Sequence, residues 1–539
     1  MKIKIISLLF ISSILILFGE NSIAQDIKID WGKSFTSKNE ISKIVGAKDN
    51  IMYAVASKKK SDFLVGYDNK NLTEKFIKEI DLPKKVYMLD MILTKTGPTL
   101  IYYSFTNKNK DLKVYARMLG KMGNKKTNKL LMHVKDTEKV KGNVLNIKVS
   151  EDKSKFVVYY TRSLAISRRE RKVITEFVSF DSDLRSIEQF NHSNGDNIDE
   201  GGQVANADIQ IDKNGNILYV LPVISGDREK YELFIKQFDF KGKELKETFL
   251  DTKGTFVGDA KIFLDEKNDV FRIVGLSVGL SEGYVGYTGV YSAVIDGNTL
   301  ETKKSFNTTF PLDFLKKFIR AKRVDRKARK GKSIYIPGSF SINNLFVTED
   351  GSTMFTAESF THSIAQTSSV SASEMWIFGD VICGRLNPEG SLKWINIAKK
   401  TQIASKARPM VSLGAGGGGL SVGASFVIGN KLPAECSNYS YLAGVSEGNL
   451  ILIYNDHFKL SNRDGEDGKR KALRNPKKSL VYKFVFDSET GESKRTALIK
   501  ESNQGGTYLA PKVYFREDAN NLLVWGRFKK TQKFGYLNF

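Results

Sequence analysis

Residues 208–245 read DIQIDKNGNILYVLPVISGDREKYELFIKQFDFKGKEL, and this stretch decides the fold. Ile209 and Ile211 alternate with polar residues, the period of a half-buried strand. Residues 212–216, DKNGN, supply a tight turn, because Asn and Gly accept positive φ at little cost. Ile217–Ile224 is almost wholly apolar, as a strand covered on both faces should be. Residues 231–240 alternate again, with Leu233, Ile235 and Phe238 among polar neighbours. The run Asp239-Phe240-Lys241-Gly242 then turns the chain into a fourth strand near 244–250. Four consecutive antiparallel strands make one propeller blade. A lone blade cannot bury both of its faces, whereas a ring of blades can.

The same unit recurs in both directions along the chain. Upstream, apolar strands fall at 41–47, 51–57, 63–67 and 76–80, then at 100–105 and 112–119, then at 156–160 and 173–180. Downstream they fall at 260–264, 270–278 and 287–295, then from Ile342 through 353–360, 381–386 and 392–397. They continue at 450–454, 480–486 and 494–499. The last unit, at 512–515, 522–528 and 534–539, stops after three strands, while 27–35 supplies one strand too many at the start. The expectation is an all-β propeller of eight four-stranded blades, with seven as the alternative. Strands from both termini share the last blade and close the ring, which removes exposed sheet edges.

The composition agrees with a globular β protein: 539 residues, 41% hydrophobic, 11% aromatic and only 10 prolines. Residues 1–24 read as a signal peptide, with Lys2 and Lys4 before an apolar stretch at 5–18 and Ser22-Ile23-Ala24 before Gln25. No second apolar run of spanning length follows, so no transmembrane span is expected after cleavage. The mature chain, 25–539, reads as one propeller domain with insertions at 306–340, 361–379, 401–446 and 458–478. Cys383 and Cys436 are a candidate disulfide in an exported chain.

The formal charge is +24; removing the signal segment's net +1 leaves about +23. Such a charge favours acidic partners, namely anionic surfaces, acidic polysaccharide or acidic protein, and export argues against nucleic acid. Much of it sits in residues 310–332, FPLDFLKKFIRAKRVDRKARKGK. Phe314, Leu315, Phe318 and Ile319 recur there at helical spacing, and 313–332 holds ten Lys or Arg against two Asp. The segment reads as a basic amphipathic helix, either lying on an anionic membrane or acidic partner or packed on the propeller side with a solvated tail. Phe314, Phe318, Lys322, Arg323 and Arg326 are the contact candidates in it. Residues 413–429, LGAGGGGLSVGASFVIG, offer Leu420 and Phe426, as an ordering loop or as a plain linker. No Lys-Ser or Lys-Thr follows those glycines, so this is no phosphate loop. Residues 374–379, EMWIFG, read as a loop whose Trp376 either projects or packs.

Catalytic and metal motifs are sparse. The four histidines, His133, His192, His362 and His457, stand far apart in sequence. No zinc spacing and no G-x-S-x-G elbow is present. The oxygen-rich runs 194–200 and 455–457 lack a calcium loop's spacing. No cofactor, metal or catalytic residue is expected. Residues 380–402, DVICGRLNPEGSLKWINIAKKTQ, preceded by the basic segment and followed by LILIYNDH at 450–457, resemble uncharacterised exported repeat proteins of Bacteroidota. That resemblance implies an envelope protein retained in the periplasm or associated with the outer membrane. The reading is a non-catalytic binding or assembly component, with an envelope or outer-membrane protein as its partner. The alternative is a carbohydrate-active or lipopolysaccharide- and polyanion-binding propeller, of which the catalytic form needs paired carboxylates in the central funnel. Because 208–245 is nearly free of insertions, it reads as scaffold, and function is expected where the insertions lie.

Overall fold

The computed structural model describes residues 27–36, 39–58, 61–106, 111–135, 144–150, 152–165, 171–185, 187–193, 203–204, 208–212, 214–224, 231–281, 284–368, 371–409, 427–428, 436–460, 471–498, 507–518, 520–528 and 530–539. They form eight β-sheets, each with a core of four antiparallel strands that are neighbours in sequence or come from the two termini. In chain order the sheets occupy 40–79, 86–134, 144–193, 203–251, 256–309, 340–409, 442–497, and 508–538 joined by 29–36. The propeller and its count of eight follow directly.

The turns form as the residues require. In the opening stretch, Asp212 Oδ1 accepts the N–H groups of Asn214 at 2.9 Å and Asn216 at 2.8 Å, while Gly215 takes φ +88°. Asp239 repeats the device, accepting from Lys241 and Lys243 at 2.8 Å each. These Asx turns fix each hairpin's register without help from the core.

The sheets are apolar on both faces, and the core lies between them. Eight buried apolar clusters are each drawn from two consecutive sheets. One of the eight joins the last sheet to the first, with Trp525 and Phe534 packed on Ile44, Met52 and Tyr67. Ile29–Trp31 pairs antiparallel with Thr531–Asn538, setting Ile29 opposite Leu537 and Trp31 opposite Gly535. A Cβ at Gly526 would meet the Trp31 ring at 2.5 Å, so a glycine there is what lets the N-terminal strand sit down.

Four expectations need correction. The basic segment is two short helices, Leu312–Lys316 and Ala321–Arg329, not one, because the backbone leaves helical geometry at Arg320 (φ −53°, ψ 127°). Residues 361–379 are no looped insertion. The two arms Thr353–Ser368 and Ser371–Leu386 run on beyond the blade, and Gln402–Pro409 pairs along the second arm as a third strand. The alternation of Glu374, Trp376 and Phe378 facing inward with Met375 and Ile377 less buried is an ordinary strand period. Leu442–Ser446, assigned to the insertion 401–446, is the first strand of the seventh sheet. Finally, Cys383 and Cys436 are buried thiols in separate clusters and are not joined by a disulfide.

Trp525 is wholly buried between the last sheet and the first, so Trp525→Ala should cost about 3–5 kcal/mol in a urea titration. Deleting residues 27–36 should lower the unfolding midpoint and cause concentration-dependent association by light scattering, because the edge of Thr531–Asn538 loses its partner. An unchanged midpoint with monomeric scattering would count against this role for the terminal strand.

Candidate functional site

The first strands of the sheets put their polar residues side by side on one shared face. Between the third and sixth sheets these residues line a polar hollow of about 320 Å³, which includes Lys148, Asp208, Gln210, Lys261, Ser341 and Asn343. Each comes from the first of the four antiparallel core strands of its sheet: Val144–Val149, Asp208–Ile211, Phe256–Asp265 or Phe340–Val347.

Asp208 is the centre of the hollow and is buried (3% exposed). Its carboxylate lies 3.2 Å from Lys148 Nζ and 3.7 Å from Lys261 Nζ. It also accepts the Ile262 N–H at 3.1 Å and the Gln210 amide at 3.4 Å. Burial alone would raise its pKa, but Lys148, Lys261 and the Ile262 N–H outweigh burial and hold it below the ordinary carboxylate value. Asp208 in turn raises the pKa of Lys261 against that lysine's own burial, so each of this pair holds the other charged. Asp259, on the next strand, accepts from Ser341 Oγ at 3.1 Å and from the Ile342 N–H at 2.5 Å. Asp259 thus borders the hollow without lining it, and counted with it the two lysines meet two aspartates, close to charge balance.

A second cluster lies behind Asn343, whose amide donates to Glu358 Oε2 at 3.3 Å. Glu358 is buried and holds Lys400 Nζ at 2.5 Å and Ser440 Oγ at 2.6 Å, with Lys512 Nζ at 3.9 Å. Burial pushes the Glu358 pKa up, but Lys400 and Lys512 pull it below the ordinary value. These contacts tie the sixth sheet to the seventh and eighth. Asn455 and Gln402 continue the tie, with Asn455 bonding both the N–H and the carbonyl of Leu509.

Chemically, ionised carboxylates already held by ammonium groups cannot donate protons, and they are poor bases at neutral pH. What remains in the hollow is a set of donors and acceptors of opposite sign, suited to holding polar groups. Among the described residues no group of three His, Cys, Asp or Glu is placed to hold a metal ion. The histidines stay on separate sheets. His362 donates to or accepts from Glu374 at 2.8 Å and stacks on Trp376, and His192 lies among aromatic rings. Of the oxygen-rich run 455–457, Asp456 is bound to Arg495 at 2.8 Å, while 194–200 lies outside the described residues.

The sites named from sequence divide three ways. Phe314 is buried, and Phe318 is half-buried against Phe314 and Phe340. Lys322, Arg323 and Arg326 are all exposed. Leu420 and Phe426 lie outside the described residues, although Val427–Ile428 just beyond them pairs in parallel with Val144 and Leu145. The hollow itself was missed. Its central charge, Asp208, opens the very stretch read as scaffold. The available signal was a charged residue recurring inside the first strand of a unit, as in Lys148 of VLNIKV and Lys261 of FVGDAKIFLD.

No protein-family model matches the chain, and no curated protein matches it in sequence. Solved structures similar to it include the Dos1 propeller, at 10% identity and TM-score 0.40 over 94% of this chain and 95% of that one. The WD40 domain of SCAP from fission yeast matches at 9% identity and TM-score 0.37 over 96% and 99%. The β-propeller domain of the Trilobed protease from Pyrococcus furiosus matches at 12% identity and TM-score 0.33 over 87% and 98%. Likeness at that level says nothing of chemistry.

Asp208→Asn leaves Lys148 and Lys261 facing each other. It should cost about 3 kcal/mol, the low end for a broken buried pair, since both lysines keep some water. Because the folded pKa is depressed, the contribution is complete above the unfolded value of about 4 and fades as pH falls through the folded value. Urea midpoints of wild type and variant should therefore differ at pH 7 and converge in acid. A gap that persists unchanged in acid would refute the assignment.

Proposed function

We propose that the protein is a non-catalytic binding component of the cell envelope, exported by residues 1–24, that engages an envelope or outer-membrane protein through the polar hollow. One observation carries this reading: Asp208 is held by Lys148, Lys261 and the Ile262 N–H together, so the hollow's central acid is a fixed strut rather than a proton carrier. Charge balance around it favours a polar partner segment without a strong charge of its own. Backbone amides and neutral polar side chains of a loop meet that description. The rigid frame of eight sheets presents Gln210, Ser341 and Asn343 in fixed positions, which lowers the ordering cost of binding.

The reading is tested by placing a photo-crosslinking residue at Gln210, at Asn343 and, as a control, at exposed Lys246 on an outer strand. In cells of the source organism, the first two positions should capture one and the same envelope protein and the third should not. Equal capture from Lys246, or release of new reducing ends from a polysaccharide by the purified chain, would overturn the proposal; the second result would favour the carbohydrate-active alternative.

A further inference from the structure

The helical segment carries a second surface, chemically unlike the hollow. Its apolar side is spent: Phe314, Leu315 and Val324 are buried with Phe310, Ile336 and Phe340 between the fifth and sixth sheets. Tyr287 exchanges both backbone hydrogen bonds with Ile336 and pins the return of the chain. What faces outward is charge. Arginine recurs at every third position, Arg320, Arg323, Arg326 and Arg329, and Lys322, Lys330 and Lys332 lie among them.

The segment's own acids do not neutralise this row. Both Asp313 and Asp325 are taken by a single residue, Lys316, at 3.4 Å and 3.2 Å. Lys327 is turned back over the Tyr335 ring at 4.8 Å. The four arginines and the three lysines named above have no carboxylate partner among the described residues. Residues three apart on a helix form a ridge oblique to its axis, with neighbouring Cβ atoms about 5–6 Å apart. Guanidinium forks along such a ridge match oxyanions bidentately, which an ammonium cannot do.

We infer that this ridge binds a linear acidic polysaccharide, through its carboxylate or sulfate groups, lying across Ala321–Arg329. An extended chain with repeated oxyanions can follow the ridge. A bilayer is the poorer fit, because Phe314, Leu315 and Val324 are buried, Phe318 and Ile319 are half-buried against the same core, and Leu312 is the one large apolar residue of the two helices that is exposed. Choosing polysaccharide over nucleic acid rests on the export reading above; the ridge itself does not.

The test uses the mature chain, 25–539, with heparin as probe, beside vesicles of half anionic lipid and a 20-base-pair DNA duplex. The variant K322Q/R323Q/R329Q/K330Q removes exposed charges only. A control, K121Q/K125Q/K126Q/K241Q, removes the same charge from exposed positions elsewhere. The ridge variant should lose at least tenfold in heparin affinity at low salt with an unchanged unfolding midpoint. The control should lose less than threefold, and wild-type binding should fall steeply with salt. Equal losses in the two variants, or none, would overturn the ridge while leaving the hollow untouched. Vesicles bound more tightly than heparin would overturn the choice of partner. A duplex bound more tightly than heparin would also overturn it, and would locate the failure in the export premise.

Discussion

Each sheet of this protein is apolar on both faces, so no sheet can satisfy itself. The side chains of Leu218, Val220 and Ile235 on one sheet are buried only because Ile262, Ile273 and Ala293 stand on the next. The same dependence recurs between every consecutive pair of sheets and between the last and the first. Burial of this kind is nearest-neighbour in form, as in other repeat architectures. It makes the frame stiff, and it leaves the first strands of the sheets free to carry polar residues on a shared face.

Those polar residues are tied across sheets by charge. Lys148, Asp208 and Lys261 come from the third, fourth and fifth sheets, and Glu358 and Lys512 from the sixth and eighth, with Ser440 just ahead of the seventh. A buried pair of this sort adds little net stability relative to an apolar one, but it punishes misplacement strongly. We read these clusters as fixing how one sheet is set against the next, a task that non-directional apolar contact does poorly. The outer helices divide labour in the opposite way, with apolar contact inside and unbalanced charge outside.

Much of the architecture was legible in the residues. Alternation at 209–211, the apolar run Ile217–Ile224 and the Asp-Gly turns carry the strand period and the hairpin chemistry locally, so the repeat and its count could be read. The helical segment was legible because Phe314, Leu315 and Phe318 keep helical spacing, but its break at Arg320 was not, since no Pro or Gly marks it. The extension of the sixth sheet was obscured by its Ser- and Thr-rich tip, although Glu374, Trp376 and Phe378 keep strand period beneath it. The hollow was illegible for a different reason. Asp208, Lys148 and Lys261 lie far apart in sequence, and each alone looks like a solvated strand residue. Only the side-by-side setting of first strands brings them within ion-pair distance.

The strand shared by the two termini bears on the order of events in folding. Ile29 faces Leu537, so nearly the whole chain must be made before that ladder can form. The loop closed by this contact is the longest the chain allows, and its entropy cost grows only with the logarithm of length. Time is the greater burden, because non-local β pairing is slow. Until the ladder forms, the strand Ile29–Trp31 has no partner. A chain emerging N-terminus first therefore carries this segment unpaired for longest, and its fate should depend on whatever shields that segment as it emerges.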